Sequence, residues 1–161
     1  MIKHIKCDIF ESGADVICHQ VNCQGVMGSG IAKQVREKFP EVYKAYLALT
    51  STFKVNKHDL LGQTQIVPTP YNIQSPDKWV RIANLFSQEK YGYDGHRYTD
   101  YIALKNCLTT LKDKCSNTTI AIPYLMGCYR GGGDWNVVYK MIEEVFADSD
   151  CEVLICEYNG G

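Results

Sequence analysis

The run Asn22-Cys23-Gln24-Gly25-Val26-Met27-Gly28-Ser29-Gly30-Ile31-Ala32 decides the fold, because it joins a strand-like stretch to a helical one through polar residues and glycines. Upstream, residues 16–21 (Val-Ile-Cys-His-Gln-Val) show no clean alternation, the pattern of a central strand covered on both faces. Downstream, residues 29–39 set Ile31, Val35 and Phe39 at helical spacing with Lys33, Arg36 and Lys38 between them, and Pro40 ends the helix. A strand that turns through glycine into a helix builds an anion cradle. Glycine lets the backbone approach a phosphate closely, and the unpaired N–H groups of the new helix face it with the positive end of the dipole.

A second junction of the same kind lies far along the chain. After the short apolar run at residues 120–123 comes Met126-Gly127-Cys128-Tyr129-Arg130-Gly131-Gly132-Gly133, and a helical pattern starts at Asp134 or Trp135. Two strand–glycine–helix junctions imply two backbone clamps on one phosphorylated ligand. Neither is a Walker A loop, since no Gly-Lys-Ser/Thr follows, and Gly25, Gly28 and Gly30 read G-x-x-G-x-G rather than the dinucleotide fingerprint.

Outward from these junctions, strands are predicted over residues 2–10, 63–67 (stopped by Pro68 and Pro70), 80–86 and 152–158. Helices are predicted over 41–49, 98–114 and 135–146. Alternating strands and helices call for an α/β layered sheet, and the β-β-α start makes it mixed rather than purely parallel. The 161 residues fit a single domain over 1–161. A formal charge of −1 argues against general nucleic-acid binding driven by phosphate electrostatics. The eight cysteines form no C-x-x-C pair and stand near no histidine pair at zinc spacing, so the reading is no metal and reduced core thiols. With no apolar leader and nothing near the roughly 18 apolar residues of a membrane span, a soluble, cytoplasmic protein without membrane contact is expected.

Several polar residues carry possible chemistry. His19 lies near the carboxyl end of the second strand, where open α/β sheets bind ligands, and is either a core histidine satisfied by a neighbour or a site residue. Asn22 and Gln24 donate and accept without charge, which suits ribose hydroxyls or an oriented water, though such residues also shape turns. Asp8 is an unusual carboxylate for a strand: it either accepts from an amino group at the strand end or caps the next turn. Arg130 can set a charge beside the second glycine loop. Asp134 has the chemistry of a general base and the position of an N-cap, with the cap favoured.

Taken together, Lys6-Cys7-Asp8-Ile9-Phe10, His19-Gln20-Val21-Asn22-Cys23-Gln24-Gly25, Met27-Gly28-Ser29-Gly30-Ile31-Ala32, Ile122-Pro123 with Met126-Gly127-Cys128, and Asp134-Trp135 resemble the macrodomain family over essentially the whole chain. The likeness is to the branch of the terminal ADP-ribose glycohydrolase and the fungal ADP-ribose-1″-phosphate phosphatases. It implies a three-layer α/β/α fold with a mixed sheet of about six strands and an ADP-ribose cleft over the strand ends, in a monomer without cofactor. By the same resemblance Asp8 accepts from the adenine amino group, with Ile9 in that pocket and Asn159 at the adenosine border. Gly28, Ser29, Gly30, Ile31 and Ala32 hold the distal ribose and a phosphate, and Met126, Gly127, Cys128, Tyr129, Arg130 and Gly131 wrap the diphosphate. The branch's catalytic lysine and aspartate fall on Gln88 and Gly131, which cannot do that chemistry; Lys90 and Asp134 are the nearest groups of the right type. A water mechanism then assigns Asn22 and Gln24 to orienting the distal ribose and His19 or Asp134 to polarising the water that hydrolyses an ADP-ribosyl linkage. The alternative is a non-catalytic ADP-ribose reader.

Overall fold

A computed structural model describes residues 1–52, 56–72, 75–92 and 94–158. Its elements run β1 (Ile2–Lys6), β2 (Val16–Asn22), α1 (Gly30–Lys38), α2 (Pro40–Thr52), β3 (Thr64–Asn72), β4 (Ser75–Gln88), α3 (Tyr101–Lys114), β5 (Thr119–Pro123), α4 (Trp135–Phe146) and β6 (Glu152–Glu157), with 3-10 turns at Ile9–Glu11 and Lys57–Leu60. The strands form one six-stranded sheet in the order β1-β6-β5-β2-β4-β3. All neighbours pair parallel except β3 and β4, so the sheet is mixed as expected, but through the β3–β4 pair and not the β-β-α start, whose strands β1 and β2 are not neighbours.

The non-alternating β2 has the two-sided burial its sequence predicts. Val16 and Cys18 pack with Leu104 and Leu108 of α3 and Val138 and Ile142 of α4. Ile17 turns to the opposite face with Val35 of α1 and Val42 of α2. β5 and β6 repeat the alternation: Ile120, Ile122, Val153 and Ile155 face the α3/α4 layer, while Ala121 and Leu154 face the other. Helices therefore cover both faces of the sheet, giving three layers.

Several element boundaries differ from the sequence reading, with β4 running over Ser75–Gln88 where the sequence predicts 80–86, and three of them differ for a clear local reason. The first strand stops at Lys6, because Asp8 Oδ1 accepts from Phe10 N at 3.0 Å and turns Ile9–Glu11 into a 3-10 turn. β3 continues through Pro68 and Pro70, which pair with Arg81 and Trp79. Backbone polar groups point to alternate sides along an antiparallel strand, so prolines two apart on an edge strand can both turn their missing N–H to the open side. Helix α3 begins at Tyr101 rather than residue 98, where Asp100 caps it by accepting from Ala103 N at 2.9 Å.

All eight cysteines are free thiols, six of them buried. Among the described residues no helix is long and apolar enough to cross a membrane, and no cluster of His, Cys, Asp or Glu is set to hold a metal. Leu108 is fully buried between the sheet and α4. Leu108→Ala is expected to cost about 2–5 kcal/mol through lost burial and a residual cavity, read as a lower midpoint in urea at unchanged slope.

Candidate functional site

The cleft arises where two parallel strands part. β2 and β5 share only two rungs, Val16–Ile120 and Ile17–Ala121, although β5 stays paired with β6 as far as Pro123–Cys156. Beyond Ile17 the two strands lead into separate loops, and between them opens a cleft of about 430 Å³, a size suited to a nucleotide-like ligand. His19, Val21 and Asn22 line it from β2 and Pro123 from β5.

The first glycine loop forms one wall through Gly28, Ser29, Gly30, Ile31 and Ala32. Ser29 takes the N-cap position of α1 in extended conformation without any side-chain cap bond. The first-turn N–H groups of α1 are thus left to a ligand or water. The loop is held from behind by the buried Tyr46 of α2. Its hydroxyl accepts from Gly25 N and Val26 N, both at 3.1 Å, and donates to Asn22, whose backbone oxygen and Oδ1 each lie 2.8 Å away. Asn22 completes the brace: Nδ2 donates to Val26 O at 2.8 Å and Oδ1 accepts from Gln24 N at 2.9 Å. Burial pushes the Tyr46 phenol well above its usual range, so it remains a donor.

The second glycine loop forms the facing wall through Leu125, Met126, Gly127, Tyr129, Arg130 and Gly131. Its carbonyls turn inward. Gly127 O accepts from Thr99 Oγ1 at 2.6 Å and Gly133 N at 2.9 Å, while Gly131 O accepts from Tyr98 N at 2.7 Å and Thr99 N at 3.0 Å. Gly127 holds φ 76, and a Cβ there would come within 2.8 Å of Gln20 Oε1, so both conformation and space call for glycine. At the buried Gly131 a Cβ would collide with Thr99 Oγ1 and lie 2.6 Å from Gly127 O.

Gln20 ties this wall to β4. Its Nε2 donates to Gln88 Oε1 at 2.6 Å and Thr99 Oγ1 at 2.9 Å, and its Oε1 accepts from Ser87 Oγ at 2.7 Å. The second end of the Gln88 amide donates to Lys90 O at 2.8 Å, which fixes the head group on the cleft wall.

His19 is 2% exposed, with Nε2 2.6 Å from Asn84 Oδ1 and Nδ1 buried without a partner. Burial lowers its pKa to about 4, so the ring is neutral at ordinary pH. Cys128 lies beside the second loop, where burial and then Asp134 push its thiol up to about 11, leaving no thiolate nucleophile there at neutral pH. Among the described residues no carboxylate and no lysine lines the cleft.

Of the residues singled out in the sequence, His19, Asn22, residues 28–32, Met126, Gly127, Tyr129, Arg130 and Gly131 converge on this cleft. Gln24, Asp134, Asp8, Ile9 and Cys128 are not part of its lining. Gln24 Nε2 donates to Glu89 O at 2.9 Å. Asp134 caps α4 by accepting from Asn136 N at 2.8 Å. Asp8 caps the 3-10 turn, and Ile9 is buried in the core beside α1. Asn159 lies outside the described residues. The sequence reading missed Gln20, Tyr46 and Thr99, whose roles depend on partners 79, 24 and 28 residues away respectively. It also missed Tyr124 on the cleft wall.

A three-layer domain with two glycine loops closing over one cleft at the strand ends is a class of α/β ligand-binding fold. The particular fold is that of the macrodomains. The macrodomain of Mycobacterium tuberculosis DarG superposes with a TM-score of 0.77 at 24% identity, over 97% of each chain. Among curated proteins, the ADP-ribose 1″-phosphate phosphatase of Scheffersomyces stipitis is 38% identical over 100 residues, covering 55% of this chain and 57% of that one. The DNA ADP-ribosyl glycohydrolase of Mycobacterium tuberculosis is 26% identical over 172 residues, covering all of this chain and 43% of that one. The matches thus span about half the length of these curated relatives. No family model matches the chain.

Two substitutions test the walls. Tyr46→Phe is expected to cost about 1–3 kcal/mol by orphaning the Gly25 and Val26 amides, with faster amide exchange confined to the first loop. Gly131→Asp, which would install a carboxylate in the cleft, is expected to lower the melting temperature and weaken ligand binding rather than add activity, because its Cβ has no room.

Proposed function

We propose that the chain binds ADP-ribose in this cleft and hydrolyses an ADP-ribosyl linkage or the phosphate ester of ADP-ribose-1″-phosphate. The observation that carries the reading is the convergence of both glycine loops on one cleft, with the uncapped start of α1 on one side and Gly127–Gly131 backbone on the other. The first wall suits the distal ribose and a phosphate; the second suits the diphosphate, with Arg130, stacked 5.8 Å over the Tyr129 ring, adding charge. The adenine contact expected of Asp8 and Ile9 would need the ligand to reach beyond this cleft, since neither lines it: Asp8 Oδ1 caps its turn and Ile9 is buried. The relatives support the same ligand: by name, one acts on a phosphorylated ADP-ribose and another on ADP-ribosyl DNA.

Hydrolysis in this cleft proceeds by an oriented water rather than a protein nucleophile. Beside the Arg130 cation its wall offers neutral groups, with one neutral imidazole, so the contribution of the chain is positioning: Asn22 holds the loop that carries the distal ribose, and His19 orients rather than deprotonates, given its low pKa. Gln24 and Asp134 act behind that shell, through the Glu89 carbonyl and the start of α4.

The reader alternative has its own support. The Gln88 amide is bonded at both ends, and Gly131 cannot carry a side chain. Calorimetry with ADP-ribose, ATP and NAD, followed by incubation with ADP-ribose-1″-phosphate, ADP-ribosylated protein and ADP-ribosylated DNA, separates the readings. Preferential ADP-ribose binding with turnover of one substrate is the expected result. Binding without turnover establishes the reader, and no preference for ADP-ribose overturns both.

A further inference from the structure

His19 is the end of a hydrogen-bond relay that crosses the sheet. Gln65 Nε2 donates to the backbone oxygen of Ala45 in α2 at 3.0 Å. A carbonyl only accepts, so the amide nitrogen of Gln65 must lie at that end and its Oε1 faces Asn84. Asn84 Nδ2 donates to that oxygen at 3.0 Å, which turns Asn84 Oδ1 toward His19 Nε2, 2.6 Å away. That oxygen in turn requires a proton on Nε2. A neutral imidazole carries one ring proton, so Nδ1 is a bare lone pair. It is buried and has no partner.

The direction of that lone pair follows from the strands. β4 lies on one side of β2, and the His19–Asn84 contact follows their register. The two nitrogens of an imidazole point in divergent directions, so Nδ1 faces away from Asn84, and His19 is among the residues that line the cleft with Pro123 where β2 and β5 have parted. A buried acceptor left unsatisfied costs on the order of 1–3 kcal/mol, which a donor entering the cleft would recover.

We propose that His19 Nδ1, locked as an acceptor by Asn84, Gln65 and the Ala45 carbonyl, is a subsite for an O–H donor at the inner end of the cleft. This rests on the ADP-ribose reading. Phosphate oxygens are acceptors at neutral pH and cannot satisfy Nδ1 directly. The donor is therefore a distal-ribose hydroxyl or a water that gives one proton to Nδ1 and the other to a phosphate oxygen. The subsite selects against ligands that would press an anionic oxygen on this position, which keeps the diphosphate out at the glycine loops.

The test is nitrogen-15 NMR of the histidine rings in the intact protein, alongside calorimetry. In the free protein, His19 should show a protonated Nε2 and a bare Nδ1; the opposite tautomer overturns the proposal. Saturating ADP-ribose should shift the Nδ1 resonance upfield. A shift with ADP-ribose and not with ADP identifies the distal-ribose hydroxyl, and a shift with both identifies water beneath the diphosphate. Calorimetric binding of ADP-ribose with an unmoved Nδ1 overturns the subsite alone, whereas absence of calorimetric binding overturns the ADP-ribose reading. His19→Phe, which keeps a ring and removes the acceptor, should weaken ADP-ribose binding by about tenfold if it folds. The wild-type spectra decide the matter if it does not.

Discussion

The early parting of β2 from β5 is the constraint on which the site depends. Strands that pair over two rungs and then diverge leave backbone and side chains at the middle of the sheet facing a gap instead of a neighbour. The parting is tolerable because each strand keeps another partner: β2 is paired with β4 from Val16 through Asn22, and β5 with β6 through Pro123. The two loops that leave these strands become opposite walls of one cleft, and the helices they feed, α1 and α4, lie on opposite faces of the sheet.

Each wall is stiffened by a polar hub reached from elsewhere in the chain, buried at the first wall and partly buried at the second. Tyr46 braces the first loop from α2, and Gln20 with Thr99 braces the second from β2 and the start of α3. Both hubs are neutral. Satisfied neutral networks carry a far smaller desolvation cost than charges in the same places, and they specify one loop geometry because each partner has only one matching end. The consequence for chemistry is that the cleft is shaped by amides and hydroxyls and lined by no carboxylate or lysine among the described residues. Binding by shape and backbone comes readily to such a site, and any hydrolysis rests on water placement.

Much of this was legible in the chain. The uninterrupted Val16-Ile17-Cys18 marks the central strand because burial on both faces removes the polar half of the alternation. Glycines at 127 and 131 mark the second wall because close approach leaves no room for a side chain, and Gly30 marks the first because the backbone there takes a positive φ. Pro68 and Pro70 misled the reading of β3, since a proline penalises a strand only where its N–H is needed, and edge position is a property of the whole sheet. Asp134 and Asp8 were ambiguous between chemistry and capping, and their caps are made by amides two residues on, a local geometry that composition does not reveal.

The sequence by itself determined the layered α/β class and the two glycine junctions, because periodicity, chain breakers and glycine freedom are local properties of a chain. Tertiary structure alone decided which polar groups face the cleft and in what state. Asn22 is consumed by its own loop, Gln88 is held at both ends, and His19 is neutral with one nitrogen bonded and the other bare. Those outcomes depend on Tyr46, Gln20 and Asn84, which are brought into contact by strand order and helix packing across gaps of tens of residues that no local pattern encodes.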